Sequence, residues 1–435
     1  MRAMKDSGIA WIGEIPEEWK ICKIKQLADQ NEENSFVDGD WIESPYIMDS
    51  GIRYLTTGNI GDGVFKEQGN GFISLRTFEK LSCKYAFPGD LIFSRLNAPY
   101  GRSCILPSDF TEYVVAVDNV ILRTQEDKRY ICYVSQCDGY KQAVDDEAKG
   151  TTMRRISRTN LGNIVIPLPP IQQQRRIADY LDRKCGQIDA IIARQQEVIE
   201  KLKAYKLSVI TEAVTKGLNP HAPMKDSGVE WIGEIPEQWS VVPLTKQLKS
   251  IVDYRGKTPE KVDTGVFLVT AKNIKNGKID YEISTEYVKV EDYEEIMHRG
   301  IPQIGDVLFT TEAPLGQVAN VDRTDIALAQ RIIKFSTNEH LNSYYLKYWI
   351  MSIGFQNFLM ALSTGSTALG IKASKLFMLP ITLPSIKEQQ QIVTYLDNKC
   401  VSTEAAIMKK SSLIDSLIAY KKSLIYEVVT GKKEV

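Results

Sequence analysis

The chain has 435 residues, of which 43% are hydrophobic and 25% are charged, and its formal net charge is −1. This length is enough for two or three domains that each bury a core. The near-zero charge argues against tight unaided binding to nucleic acid, since phosphate neutralisation supplies most non-specific affinity. Seven cysteines without a CxxC spacing and only three histidines argue against a zinc site or a disulfide framework. Because apolar runs of about 18 residues and a signal-peptide pattern are absent, we expect a cytoplasmic protein without a membrane partner.

Most of the chain is built from two copies of one arrangement. Residues 4–19 return at 224–239 with 13 of 16 positions identical, 168–185 match 383–400, and 204–218 match 419–433. Between these blocks only short signposts agree, such as Asn59-Ile60 with Asn273-Ile274 and Gly89-Asp90 with Gly305-Asp306. The repeat is longer than the roughly 20–50 residues of a solenoid unit. It therefore predicts two domain-sized halves in pseudo-twofold tandem, with a duplicated framework and different surfaces.

Each half contains short β-rich runs followed by helical patterns. DLIFS at 90–94 and VILR at 120–123 are strand-like in the first half, as are DVLFT at 306–310 and RIIKF at 331–335 in the second. We predict α+β domains at 1–166 and 221–382, each including one copy of the repeated segment.

Two long helices are predicted in the remaining segments, 167–220 and 383–435. They begin at the proline-rich joints PLPP and TLPS, since proline is tolerated in a first helical turn. Each would run roughly 65 Å at 1.5 Å per residue, which favours an antiparallel coiled coil over two helices packed separately on their own domains. Heptad spacing predicts a seam, also considered for partner docking, of Leu181, Ile188, Leu202, Val209, Leu396, Leu417 and Leu424, interrupted by Gln195, Thr403 and Lys410. A second column is expected at Ile191, Val198 and Tyr205, widened by Ile192 and Ile199, and at Ala406, Leu413 and Tyr420.

The order of segments also predicts how the chain closes. The second copy of the repeated segment follows the first helix directly, so by symmetry the first copy should lie near the end of the second helix. We therefore expect the two termini to be close together and circular permutation to be tolerated. Trp11, Trp19, Trp231 and Trp239 are expected to pack at these joints rather than contact a ligand.

Several loops carry side chains suited to DNA. Ser94-Arg95-Leu96-Asn97 aligns with Thr310-Thr311-Glu312, and arginine, asparagine and glutamate suit guanine, adenine and cytosine edges respectively. The turns 150–156 and 365–371 offer hydroxyls and backbone amides for phosphates, and a basic turn at 255–258 offers charge. For each loop a solvated turn without a ligand stays an alternative. The candidate DNA contacts are Ser94, Arg95, Asn97, Tyr100, Arg102, Thr151, Thr152, Arg154, Arg155, Arg255, Lys257, Thr258, Lys272, Asn273, Thr310, Thr311, Glu312, Ser366, Thr367, Lys372 and Lys375.

Catalytic patterns are weak by comparison. Asn97-Ala98-Pro99-Tyr100 differs at its second residue from the Asn-Pro-Pro-Tyr loop of amino-methyltransferases, and no glycine-rich S-adenosylmethionine signature accompanies it. The turn at 255–258 resembles the end of a P-loop, but Ile251 replaces the first glycine. No HExxH, Gly-x-Ser-x-Gly or convincing nuclease carboxylate pair occurs. We predict a chain without a catalytic or metal site.

As a whole the chain resembles the specificity subunit of type I restriction-modification systems. The resemblance covers nearly all residues and rests on DSGIxWIGEIPExW in both halves, GDLIF and GDVLF followed by Ala-Pro-x-Gly, the GTT and GST turns, LPPIQQQRRIADYLD and TEAVTKG. It implies two target-recognition domains that each read one half of a bipartite double-stranded DNA target in the major groove, with helices that set the gap.

The resemblance also implies partners. Two modification subunits would dock on the helices and methylate adenine, and restriction subunits would add translocation and cleavage. No cofactor is expected in this chain, because S-adenosylmethionine, ATP and Mg²⁺ would belong to those subunits. Two alternatives stay open, namely an orphan coiled-coil scaffold that binds proteins and the specificity arm of a methylation-only system.

Overall fold

The computed structural model describes residues 2–150, 153–254, 259–365 and 369–435. The chain divides into two compact units, unit 1 (Met1–Gln195 with Ser412–Val435) and unit 2 (Gln196–Ser411). Each unit combines one globular half with a part of both long helices. Among the described residues, no helix is both long enough and apolar enough to span a membrane.

The first half of the chain, followed by its long helix, contains these strands and α-helices. The strands are β1 (Met4–Asp6), β2 (Glu14–Pro16), β3 (Lys20–Lys23), β4 (Phe36–Asp38), β5 (Ile52–Leu55), β6 (Phe72–Ile73), β7 (Leu91–Ser94), β8 (Ser103–Ile105), β9 (Tyr113–Val115), β10 (Asn119–Leu122) and β11 (Val165–Leu168). The helices are α1 (Leu75–Lys80), α2 (Lys128–Gln136), α3 (Asp138–Asp146), α4 (Arg158–Asn163) and α5 (Ile171–Lys216).

The second half repeats this plan. Its strands are β12 (Met224–Asp226), β13 (Glu234–Pro236), β14 (Ser240–Pro243), β15 (Leu248–Asp253), β16 (Val266–Val269), β17 (Ile274–Lys275), β18 (Lys278–Ile279), β19 (Tyr287–Val288), β20 (Val307–Thr310), β21 (Val318–Asn320), β22 (Ile326–Leu328), β23 (Ile332–Thr337) and β24 (Pro380–Leu383). Its helices are α6 (Tyr293–Ile296), α7 (Ser343–Met351), α8 (Ile353–Leu362) and α9 (Ile386–Val429).

The sheets have matching topologies in the two units. Unit 1 has an antiparallel sheet β4-β10-β7-β8 and a sheet β6-β5-β9 in which β5 and β9 are parallel. Unit 2 has β15-β23-β20-β21 and β19-β16-β22, with β16 and β22 parallel. The predicted α+β class with a duplicated framework is therefore confirmed.

The Gly-Asp signposts directly precede β7 and β20, an inner strand of each larger sheet. Gly89 and Gly305 have φ of 84° and 89°, a left-handed conformation that glycine adopts at low cost. The carboxylate of Asp90 accepts from the backbone N–H of Phe87 at 3.0 Å, and Asp306 accepts from that of Gln303 at 2.9 Å. Each aspartate therefore closes the turn that leads into its strand.

The Asn-Ile signposts brace a second turn. The side-chain oxygen of Asn59 accepts from the N–H of Thr56 at 2.9 Å, and its amide donates to the carbonyls of Lys66 and Gln68 at 3.0 and 2.9 Å. Asn273 repeats this arrangement with its own neighbours. Both asparagines are buried, so their shared role in the two halves is structural.

Within unit 1 the start of α5 packs against the end of α9. The Tyr130 hydroxyl lies 2.8 Å from the carbonyl oxygen of Pro167 and 3.0 Å from that of Val429. Further along α5, Asp189 pairs with Lys421 at 2.7 Å. As the chain advances from Pro167 to Asp189, its neighbours in α9 run backwards from Val429 to Lys421, so the helices are antiparallel.

Unit 2 repeats this packing with the other two helix ends. The Tyr345 hydroxyl lies 3.1 Å from the carbonyl oxygen of Val214 and 2.8 Å from Oγ1 of Thr382. Lys206 pairs with Glu404 at 2.9 Å. The antiparallel prediction is therefore confirmed in both units, and the alternative of two separately packed helices is wrong.

The predicted heptad columns are only half right. In the first column Leu181, Ile188, Leu396 and Leu424 are buried, as predicted, and Leu202, Val209 and Leu417 are half-buried. The second column is wrong by one position in α5 and by one in α9. Ile191, Tyr205, Leu413 and Tyr420 are exposed, whereas Cys185, Cys400 and Ile414 are buried. Ile199, which is predicted to widen this column, is also buried. Residues 191–192 and 198–199 are adjacent apolar pairs, so a heptad column can run through either member of each pair. Contact with the partner helix decides which member is buried.

Each repeated segment packs where one long helix begins and the other ends. In unit 1 the indole N–H of Trp19 donates to Oε1 of Gln173 at 2.7 Å, and Lys432 Nζ donates to the Ile12 carbonyl at 2.5 Å. In unit 2 the indole N–H of Trp239 donates to Glu388 at 3.0 Å. Contact between Lys432 and the opening segment confirms that the chain ends are neighbours.

Trp11 and Trp231 also pack against aromatic side chains, each within its own unit. Trp11 lies edge-on to Tyr140, with ring centroids 6.4 Å apart, and Trp231 stacks on Phe358 at 5.2 Å. The prediction that these tryptophans serve packing is therefore confirmed.

Candidate nucleic-acid interface

Two of the predicted DNA-contacting loops meet in unit 1. The loop after β7 and the hairpin that Lys149 and Arg155 close are joined by the N–H of Ile156, which donates to the Arg95 carbonyl at 3.1 Å. Lys149 and Arg155 close the hairpin with two backbone hydrogen bonds of 2.9 Å. We call residues 94–102, 116–119, 149–150 and 153–156 loop junction 1.

Unit 2 has the equivalent arrangement. The N–H of Ile371 donates to the Thr311 carbonyl at 3.0 Å, and Thr364 and Gly370 close the hairpin with backbone bonds of 2.9 and 3.0 Å. We call residues 310–316, 330–331, 364–365 and 369–371 loop junction 2. The structure therefore brings together motifs that are more than 50 residues apart in each half.

Three of the predicted contacts lie inside loop junction 1. Ser94, Arg95 and Arg102 are buried. Arg95 donates to the Val117 carbonyl at 2.6 Å and forms an ion pair with Asp38 at 3.2 Å. These groups hold the loops in place.

Arg102 is the main brace of the loop that follows β7. Its guanidinium donates to the carbonyls of Ile60 at 2.5 Å, Thr57 at 2.7 Å and Pro99 at 3.1 Å. Burial lowers the pKa of this arginine. With its donors directed at backbone carbonyls, Arg102 shapes the loop from within.

The other described candidates in loop junction 1 are more accessible. Asn97 is exposed, with its amide 3.3 Å from Oγ1 of Thr57. The Arg154 guanidinium lies over the Tyr100 ring, 5.9 Å from its centroid. The Arg155 side chain is 58% exposed and approaches Asp118 at 3.4 Å. Asn97 and Arg155 therefore lie on the accessible surface of loop junction 1, where a ligand could reach them.

In loop junction 2 the two threonines are internal. Thr310 and Thr311 are buried, and their hydroxyls donate to the carbonyls of Pro314 at 2.6 Å and Arg331 at 3.2 Å. Glu312 is accessible and pairs with Nε of Arg331 at 3.0 Å.

The remaining candidates are spread over unit 2 or are not described. Lys272 and Lys372 are exposed, and the Lys375 ammonium donates to the Leu362 carbonyl at 2.7 Å. Asn273 is buried and braces its own turn. Seven candidates lie outside the described residues, namely Thr151, Thr152, Arg255, Lys257, Thr258, Ser366 and Thr367.

Two charged residues at the junctions were missed by sequence reasoning. The Asp118 carbonyl accepts from the Arg95 N–H at 2.8 Å, and the Arg331 carbonyl accepts from the Thr311 N–H at 2.9 Å. Asp118 and Arg331 therefore occupy the same place, directly before β10 and β23. Aligning the strand patterns of the two halves would have paired them, whereas the signposts alone did not.

Comparison with known proteins gives a consistent result over almost the whole chain. The family model described as the type I restriction modification DNA specificity domain matches residues 16–201 and again 237–410. The MjaVIII specificity subunit of Methanocaldococcus jannaschii is 29% identical, with 97% of this chain and 94% of the relative covered. The EcoKI specificity subunit of Escherichia coli is 21% identical, with 94% and 89% covered.

Solved structures share the fold. A chain from a structure of the type I R-M system matches with a TM-score of 0.72 and 15% identity, covering 96% of this chain and 99% of that one. The HsdS subunit from Thermoanaerobacter tengcongensis matches with a TM-score of 0.51 and 15% identity, covering 96% and 98%. With two family matches that together span most of its residues, the chain belongs to the type I restriction-modification DNA specificity family.

Proposed function

We propose that units 1 and 2 each read one half of a bipartite double-stranded DNA target, with loop junctions 1 and 2 facing the major groove. The main observation in support is that the two units share one framework but present different side chains at their loop junctions. Arg155 and Asp118 meet at loop junction 1, whereas Glu312 and Arg331 meet at loop junction 2. Two readers of different sequences require this combination, since base edges are distinguished by their donors and acceptors.

The α5 and α9 helices would set the unspecified gap and bind two modification subunits. Leu181, Leu396 and Leu424 are buried between helices, so they are poorly placed to bind a partner. Tyr205 in unit 2 and Tyr420 in unit 1 are 50% and 54% exposed and hold equivalent positions in the repeat. A surface that occurs once in each unit suits two copies of one partner, and exposed tyrosines are frequent anchors at interfaces.

Methylation and cleavage would be carried out by partner subunits that hold S-adenosylmethionine, ATP and Mg²⁺. The nearly neutral chain would also rely on a partner for much of its grip on phosphates. All seven cysteines are free, in keeping with a reducing cytoplasm as its place of action.

Salt-dependent DNA binding by the full chain with its modification subunit tests this function. We expect one bipartite sequence to be bound far more tightly than random DNA, and log K to fall steeply with log salt concentration because phosphate contacts release counterions. Binding to protein partners without preference for any DNA sequence would refute the proposal and favour a scaffold.

A further inference from the structure

Each loop junction contains an exposed arginine that is paired with a carboxylate from a neighbouring loop. In loop junction 1, Nη1 of Arg155 lies 3.4 Å from Oδ1 of Asp118. In loop junction 2, Nε of Arg331 lies 3.0 Å from Oε1 of Glu312, and the arginine side chain is 48% exposed. The carboxylates restrict where these guanidinium groups point, although solvent screens both pairs.

The two pairs share only one position of the framework, where Asp118 in unit 1 corresponds to Arg331 in unit 2 and the charge is reversed. The acid of the second pair, Glu312, corresponds to Leu96. In unit 1 the hairpin supplies the arginine and the turn before β10 supplies the acid. In unit 2 the turn before β23 supplies the arginine, and the hairpin position equivalent to Arg155 is Gly370. A Cβ at Gly370 would lie 3.2 Å from Cβ of Glu312, so a side chain there would crowd the carboxylate.

The backbone of Arg331 adds an independent observation. Its φ is 76°, in the left-handed region that glycine adopts readily and that other residues seldom adopt. The pairing of the two strands does not need an arginine at this position, since only the Arg331 carbonyl accepts from Thr311. Non-glycine residues in such conformations are concentrated at functional sites.

We propose that Arg331 and Arg155 are base-reading residues that each contact a guanine, and that Glu312 and Asp118 are positioning residues that hold them. This inference rests on the proposed function. A guanidinium can donate two hydrogen bonds to O6 and N7 of guanine, the commonest specific contact in the major groove. Loop junction 1 then reads a G·C pair in one half-site and loop junction 2 a G·C pair in the other.

The test uses the full chain in complex with its modification subunit. The target is first mapped by adenine methylation with the unchanged protein, and each G·C pair in it is then replaced singly in binding assays. Arg331→Gly keeps the left-handed backbone at no steric cost, and its thermal unfolding is compared with that of the unchanged protein to separate its effect from misfolding. We expect Arg331→Gly to abolish discrimination at one G·C pair of one half-site, by about 5- to 150-fold, with the other half-site unchanged.

Arg155→Ala should have the reciprocal effect on the other half-site. Glu312→Gln should weaken discrimination at the same base pair as Arg331→Gly, but less strongly, while leaving thermal unfolding unchanged. Arg323→Ala and Arg76→Ala serve as matched controls, since both residues are exposed arginines outside the loop junctions in the same two units. They should leave discrimination intact.

Three results would overturn the inference while leaving the proposed function standing. The first is a mapped half-site that contains no G·C pair. The second is that Arg331→Gly and Arg155→Ala both discriminate between base pairs as well as the unchanged protein does. The third is that the variants lose affinity equally for all sequences and show a smaller salt slope, because such a loss indicates phosphate contacts. Failure of the unchanged complex to bind any preferred sequence would instead refute the proposed function.

Discussion

The ion pair between Lys334 and Asp306 is buried, and its burial predicts how much stability is lost when one partner is removed. Lys334 Nζ lies 2.7 Å from Oδ2 of Asp306, and the two side chains are 5% and 9% exposed. Asp306 also accepts from the Ser336 hydroxyl at 2.7 Å and the Gln303 N–H at 2.9 Å. Asp306→Asn would leave the Lys334 ammonium buried without its counter-charge. Removing one partner of a buried pair costs about 3–5 kcal/mol.

The reverse change should cost less. In Lys334→Met the carboxylate keeps the donors from Ser336 and Gln303, and the thioether side chain fits an apolar strand, so we expect a loss of about 1–3 kcal/mol. The double variant lacks the unpaired ammonium. Its stability should therefore lie near that of Lys334→Met rather than at the sum of the two single losses.

Native-state hydrogen exchange read by mass spectrometry measures the loss of stability separately in each part of the chain. A local measurement is needed because a chain of two units need not unfold in one step. Asp306→Asn should accelerate exchange in β20 and β23 by roughly 140- to 3,700-fold, since about 1.4 kcal/mol corresponds to a factor of ten. Peptides from β7 and β10 in unit 1 provide the internal reference. Asp325→Asn, which removes an exposed partner of Arg323, should change little. If Asp306→Asn accelerates exchange no more than Asp325→Asn, the reasoning from burial is refuted.

Other predictions follow from the helices and the joints. Inserting four residues after Ala193 adds roughly 6 Å of helix, so methylation mapping should show a longer gap or no binding, and an unchanged target would contradict a ruler role. A circular permutant that begins at His221 and joins the original termini through a short linker should bind the original target in a gel shift, because those termini are neighbours; loss of folding would contradict this. Tyr205→Ala and Tyr420→Ala should each reduce the bound modification subunits from two to one in native mass spectrometry, and full occupancy in both variants would move the docking surface elsewhere.

Much of the framework was predictable because the repeat fixes it twice. The duplication alone predicts that the tryptophans of the repeated segment serve packing, and Trp19 and Trp239 donate hydrogen bonds to side chains in the first turns of α5 and α9. The second heptad column was misplaced because Ile191 and Ile192 both fit a heptad. The choice between them depends on the partner helix, which a single-helix pattern does not contain.

The candidate interface was harder to predict. Arg95 and Arg102 have the residue type and loop position of DNA contacts, yet their guanidinium groups are turned inward to backbone carbonyls. Inward and outward arginines look alike in a sequence, because their direction is set by carbonyls that tertiary structure brings near. Arg331 was missed for the converse reason, since its exposure arises from a left-handed turn at a strand start.

Exchange of one half tests the central claim most directly. Residues 20–165 would be replaced by the corresponding residues of another family member, and adenine methylation would be mapped genome-wide in cells that also contain the modification subunit. The account predicts that one half of the bipartite target changes while the other half and the gap stay the same. A change in both halves, or no change in either, would contradict the claim that each unit reads its own half-site.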